Sequence, residues 1–465
     1  MIRFCDVAGA SVAGRRSFLQ AGSLAMGGLT LEHLLQARAE ARDKAVLKDK
    51  SVIFLFMHGG PSQFETFDPH MQAPSEIRST TGEVGTRLPG VTFGGSFPRL
   101  AGLADQLTIV RSFTTGDSRH DIKPIVHRDT ADANLGTLYA RVAGMNHPLT
   151  GMPRNVALSP QAVDASLRPV TKTFGDFGAT GAFSRTLAPF APGNDGSLQQ
   201  DMQLNLPLRR LEDRRLLLAE VDRMRWGVEQ GGSLEGLSQL RQQAFQTILG
   251  GLSEAFDLSQ EAPSVLERYD TSRISRPDNI SRKWNNYQNY VDHGQTLGKL
   301  LLLARRLCER GAGFVTITTS FVWDMHADNN NAGVAEGMQY MGLPFDHAVS
   351  AFLEDVKQRG LSEKILLVCC GEMGRTPRLN KNGGRDHWGN LAPLLLAGGG
   401  LPMGQVIGQS ARDGGTPASE PVTIQNLVST VLNSLFEGGQ LRLVPDTPRE
   451  ILQAVTQWKP IPGLG

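Results

Sequence analysis

Two short runs, Ser51–Met57 (SVIFLFM) and Lys364–Cys370 (KILLVCC), are apolar along nearly their whole length. A strand with one wet face alternates apolar and polar residues, and these runs do not. They read as central strands of a parallel sheet whose two faces are both covered. Leu107–Ser112 and the β-branched stretch Gly313–Thr318 read as further strands. Helical patterns fall between them, over 285–310 with Gly311 behind it, over 345–358 with a stop at Gly360, and from Thr423, a cap residue, to Leu435. Strands alternating with helices predict an α/β chain with a mostly parallel sheet. Residues 150–200 carry much Gly and Pro and no steady period, so irregular structure with short strands is expected there. From Leu206 to about Phe256 the pattern turns helical and charged, which predicts a helical insertion near 205–285.

Hard ligands gather just past the apolar strands. His58 follows the first run and precedes Gly59-Gly60, glycines that let the backbone approach a ligand closely. Asp324 and His326 follow the Gly313–Thr318 strand, two residues apart, so an extended stretch would turn both to one face. Glu372 comes directly after Cys370, with Arg375 three residues on. Asp386 and His387 adjoin in a glycine-rich loop, where both can bind metal or one can ligate while the other orients it. Loops at the carboxyl ends of parallel strands are where open α/β sheets build their sites. Imidazole with carboxylate suits Zn²⁺, Mn²⁺ or Fe. The bland alternatives are a turn histidine at 58, a helix cap at Asp324, a Glu372–Arg375 ion pair and an ordinary surface loop at 386–387. The loop after Leu107–Ser112 holds Thr114, Thr115, Ser118 and His120, where a hydroxyl could act as nucleophile beside a metal and His120 as ligand or acid.

A net charge of +1 gives no field to attract nucleic acid or an anionic membrane. The four cysteines, Cys5, Cys308, Cys369 and Cys370, show no CxxC spacing and read as buried small hydrophobes, not as a zinc–thiolate or disulfide framework. Gly14-Arg15-Arg16-Ser17-Phe18-Leu19-Gln20 resembles a twin-arginine signal, followed by an apolar stretch and Ala37-Arg38-Ala39 as cleavage site. Residues 1–39 are therefore expected to direct export, leaving a periplasmic or extracellular mature chain with no membrane span.

Read together, the twin-arginine start, HGGPSQFETFDP (58–69), LLLARRLCERGAGFVTIT (301–318), WDMHADN (323–329), GEMGRTPRLNKNGGRDHWG (371–389) and AGGGLPMGQVIGQ (397–409) resemble an exported bacterial family. It is the domain-of-unknown-function 1501 family, placed in the alkaline phosphatase and sulfatase superfamily. The resemblance implies one domain over 40–465, a three-layer α/β/α sandwich with a mostly parallel central sheet. It also implies one or two divalent metals at the carboxyl edge, Zn²⁺ or Mn²⁺ ahead of Ca²⁺ or Mg²⁺, bound by His58, Asp324, His326, Glu372, Asp386 and His387. The nucleophile position falls at Thr115 or Ser118, with His120 and Arg375 as further catalytic residues and Arg385 as a second candidate for binding the anion. The departures are specific. His58 stands where the superfamily has an acidic ligand, Glu372-Met373-Gly374 where it has Asp-His-Gly, and the loop lacks both Cys-x-Pro-x-Arg and Asp-Ser-Ala. The absence of a cysteine from this loop argues against formylglycine chemistry.

Two readings follow. One is a metal-dependent hydrolase of phosphate or sulfate esters, its anionic substrate a small molecule or a polysaccharide. The other is a non-catalytic, metal-stabilised binding or scaffold protein of the envelope. A hydroxyl of 114–118 close to the ligand cluster would favour the first, and a cluster walled by Trp and Phe with no open position the second.

Overall fold

The computed structural model describes residues 46–193 and 252–465. The export signal expected over 1–39, and the part of the helical insertion before residue 252, lie outside the described residues. β1 (Ser51–Phe56) is an interior strand of the sheet. A small hairpin of β2 (Glu83–Gly85) and β3 (Thr92–Gly94) follows, then β4 (Thr108–Val110), β5 (Asn155–Leu158), β6 (Phe314–Thr318) and β7 (Ile365–Cys370). A two-stranded ribbon of β8 (Gly374–Arg375) and β9 (His387–Trp388) leads to β10 (Leu394–Gly398) and β11 (Gln405–Ile407). The seven-stranded sheet has the order β11-β4-β10-β7-β1-β6-β5. Only β10 runs against its neighbours; β7, β1, β6 and β5 are parallel in register, with Phe54 facing Thr316 and Val368.

Alternation along β1 divides the interior into two cores. Ile53 and Leu55 point to one face, with Cys369, and pack on α2 (Tyr287–Glu309) and α3 (Val334–Gln358). Val52, Phe54 and Phe56 point to the other, with Cys370, beneath α1 (Leu135–Ala143), α4 (Ile424–Leu435) and α5 (Arg449–Thr456). The chain is thus a mixed, mostly parallel sheet with helices on both faces. The adjacent cysteines divide between the cores, and burial pushes both thiols up in pKa. Thr423 caps α4 through a reciprocal bond with Asn426. α3 begins at Val334, not near Phe345, and carries Pro344 inside. Proline normally marks a helix boundary, but Met338, Met341, Phe345 and Val349 are buried in the same core and hold the turns together across it.

His293 on α2 is completely buried, with Nε2 set 3.3 Å from the Met341 carbonyl, and burial lowers its pKa to about 4. The unfolded chain binds that proton near pH 6.5 and the folded chain near pH 4. Its contribution is therefore whole above pH 6.5 and is lost as pH falls toward 4. Asp346 on α3, buried and raised to about 6, has the opposite sign: its folded form holds the proton, so it gains as pH falls through 6. Wild type should consequently show a shallow acid limb between pH 6.5 and 4. The stability difference between wild type and His293→Leu should be about 2–3 kcal/mol larger at pH 7 than at pH 4.5 in urea unfolding. A difference that does not change with pH would show that His293 is not held neutral by the fold.

Candidate metal centre

The carboxyl edges of β1, β4, β6 and β7 bring distant loops to one place. Gly59, at φ +115°, packs where a Cβ would lie 2.6 Å from the Asp324 amide nitrogen, so the loops after β1 and β6 touch backbone to backbone. The Gly59 N–H donates to both oxygens of Glu372, at 3.0 and 3.2 Å, tying in the loop after β7. The loop after β4 is fixed from two sides. Thr115 and Gly116 N–H groups donate to the Gly389 carbonyl at 3.1 Å each, and a Cβ on Gly389 would meet the Asp117 backbone at 2.3 Å. Lys123, 1% exposed, bonds Asp117 at 2.8 Å and Asp121 at 3.1 Å, the residues flanking the turn that presents His120.

The outcome is a compact donor set. One atom each of His120, Asp324, His326 and His387 lies within 4.8 Å of the others. Asp324 Oδ1 is the hub, 2.9 Å from His326 Nε2, 3.2 Å from His387 Nε2 and 3.3 Å from His120 Nε2. His326 Nε2 and His387 Nε2 are 2.7 Å apart. Two neutral imidazole lone pairs repel at that distance unless a proton or cation lies with them. His120 Nε2 is buried without a hydrogen-bond partner. This set fits a divalent ion that accepts nitrogen and oxygen together. Burial opposes ionisation of Asp324, but the Arg375 guanidinium and the imidazoles around its Oδ1 hold its carboxyl well below the usual carboxylate range.

Behind these four stands a supporting layer. Glu372, fully buried, accepts from His120 Nδ1 at 2.8 Å, which leaves Nε2 as the lone-pair nitrogen facing the hub. Asp386 does the same for His326 Nδ1 at 3.2 Å and is itself held by Asn380 at 3.1 Å. Asn331 donates to the second oxygen of Asp324 at 3.3 Å. Carboxylates placed behind metal-binding imidazoles fix ring orientation and raise basicity. Glu372 and Asp386 thus lie one shell outside the four, and Glu372 is not paired with Arg375. Arg375 donates every N–H it has: to Gly60 O at 2.7 Å, Gly59 O, Asp324 Oδ1 at 2.6 Å, His326 Nε2 at 3.2 Å and Arg385 O at 3.2 Å. It is 0% exposed and clamps the hub. Arg385 is equally buried and closes on Glu65 at 3.0 Å, away from the four.

The remaining expected residues lie apart. His58 is fully buried, its ring edge-on to Phe174, Phe177 and Phe321, and neither nitrogen has a partner. Burial lowers its pKa and keeps it neutral. Thr115 Oγ1 makes long contacts, 3.5 Å, to the Asp117 and Gly389 carbonyls, and Ser118 is exposed. Among the described residues, neither hydroxyl bonds to any of the four ligating side chains. Phe321, Phe174, Asn331, Asn380 and Lys123 were not anticipated. None carried a distinguishing signal in the sequence; Phe321 lies in the apolar run Phe321-Val322-Trp323 just before Asp324.

The family expected from the motifs is the one found. The model of a family described as a protein of unknown function (DUF1501) matches residues 49–437. No curated protein matches the sequence. Similar solved structures include a sulfatase from Pseudoalteromonas sp., at 12% identity over 87% of this chain and 71% of that chain, with a TM-score of 0.35. A phosphonate monoester hydrolase from Silicibacter pomeroyi is similar at 10% identity, 83% and 73% coverage and a TM-score of 0.33. The lipoteichoic acid synthase of Listeria monocytogenes is similar at 8% identity, 91% and 80% coverage and a TM-score of 0.33. Among the described residues no helix is long and apolar enough to cross a membrane.

Proposed function

Because this chain belongs to the DUF1501 family, whose function is not known, we propose its activity from the site itself: metal-assisted hydrolysis of phosphate or sulfate esters, in an exported protein. The observation that carries this reading is the convergence of three imidazole nitrogens on one carboxylate oxygen at the carboxyl edge of the sheet, with His387 still 30% exposed. A closed structural site would bury all its ligands, whereas a catalytic one leaves an approach. A divalent ion held there would supply Lewis acidity to an ester oxygen and draw a nucleophile from water near neutral pH. Asp324, His120, His326 and His387 hold it, while Glu372 and Asp386 fix the imidazoles. Arg375 acts through Asp324, since none of its N–H groups is left for substrate. With Thr115 against backbone carbonyls and Ser118 exposed, and neither hydroxyl bonded to the four, attack by water is favoured over a covalent step on the chain.

The test is protein purified without chelator, analysed for metal and assayed on a panel of phosphate and sulfate monoesters. Turnover should disappear on chelation and return with Zn²⁺ or Mn²⁺. The scaffold reading has one observation in its favour, the Phe174–Phe321 wall on one side of the centre. It takes over if the protein holds its ion tightly, loses thermal stability on chelation and turns over no ester.

A further inference from the structure

Phe174 and Phe321 are stacked, with centroids 4.4 Å apart and planes 22° from parallel, and both are only partly buried. Neither joins the two hydrophobic cores, even as a side chain packed against them. Their ring contacts are to each other, to the ligating His120 and to the buried His58: Phe321 lies 4.6 Å from His120 and 4.9 Å from His58, Phe174 5.3 Å and 5.8 Å from the same rings. The two are distant in sequence but leave neighbouring parallel strands, Phe321 in the loop after β6 and Phe174 in the long loop after β5. Phe321 stands edge-to-face and Phe174 tilted against a ligating imidazole, so these partly exposed rings outside both cores offer apolar surface continuous with the metal centre.

Resting on the ester-hydrolase reading above, we infer that the Phe174–Phe321 pair receives the organic group of the substrate, and that this group is a flat aromatic ring carrying the anion that meets the centre. A third ring continues the existing stack, removes the remaining apolar surface from water, and places its substituent toward His120. Aromatic pairs prefer offset-stacked or edge-to-face arrangements at centroid separations of about 4.5–7 Å, and the pair sits at the short limit of that range.

Binding of non-hydrolysable anions tests this without any turnover. On Zn²⁺-loaded protein, calorimetry should give phenylphosphonate an affinity at least about tenfold above that of methylphosphonate. The ratio should fall toward one in Phe321→Leu and in the Phe174→Leu/Phe321→Leu double variant, and should persist in Phe321→Tyr, which keeps the ring. Metal content measured in each variant separates loss of the surface from loss of the centre. Equal affinities in wild type, or a preference that survives in the double leucine variant, overturns the inference while leaving the metal site intact. If metal-loaded wild type binds neither phosphonate, it is the ester-hydrolase reading that falls, and the inference falls with it.

Discussion

Replacing Arg385 by methionine should cost about 3–5 kcal/mol of stability, the loss seen when one partner of a buried ion pair is removed. The guanidinium is fully buried and lies 4.3 Å from the Phe64 ring centroid. It donates to Glu65 at 3.0 and 3.1 Å, to the Ile77 and Arg78 carbonyls at 2.8 and 3.1 Å, and to Pro377 O. Methionine matches the apolar stem and leaves the contact with Phe64, but strands the Glu65 carboxylate, itself 0% exposed. What remains to Glu65 is the Ser62 hydroxyl and the Thr80 N–H at 3.2 Å. The deficit is then the cost of a buried charge left without its partner. Glu65→Gln/Arg385→Met should recover part of it at pH 7, because the amide removes the charge. Urea unfolding of Arg385→Met, Glu65→Gln and the double variant measures the cycle; Arg385→Met within about 1 kcal/mol of wild type would mean the pair contributes little over water. Arg385 immediately precedes Asp386 and His387, so the same variant should also loosen the metal centre.

The second large effect separates ligands from the groups behind them. Glu372→Gln and Asp386→Asn should each weaken metal binding by about 10–100-fold, the usual cost of an outer partner. His387→Ala removes a donor from the set of four and should weaken binding by more than either, with loss of any esterase activity. His387 is 30% exposed and Asp324 keeps its bond to Arg375, so the alanine variant should still fold. Isothermal titration with Zn²⁺, alongside circular dichroism, checks all three. If Glu372→Gln or Asp386→Asn abolishes binding as completely as His387→Ala, those carboxylates are ligands in their own right. Were His387→Ala to retain wild-type affinity, the centre would not be where the donors converge.

Much of this architecture was legible in the chain's order of residues. Unbroken apolar runs at 51–57 and 364–370 announce strands buried on both faces, and both lie at the middle of the sheet. Parallel strands put their carboxyl ends on one edge, so motifs more than 300 positions apart, such as those at His58 and Glu372, had to be neighbours. The HGG sequence carried its own reason, since a side chain at Gly59 would collide with the backbone at Asp324. Which atoms meet at the centre was not legible. His58 and His120 both follow strands, yet His120 faces Asp324 while His58 is enclosed by phenylalanines. Asp386 and His387 adjoin, yet one ligating nitrogen comes from the second and the first stands behind His326. The direction of β10 was equally hidden, because an apolar run reads the same both ways and the β8–β9 ribbon turns the chain back. Apolar periodicity encodes what each segment buries against a core, through local side-chain alternation and burial free energy. The aim of a side chain in an irregular loop depends on dihedrals that no period encodes. Here those are set by contacts between distant segments, Gly389 against Asp117 and Arg375 against Asp324, which exist only once the sheet has assembled.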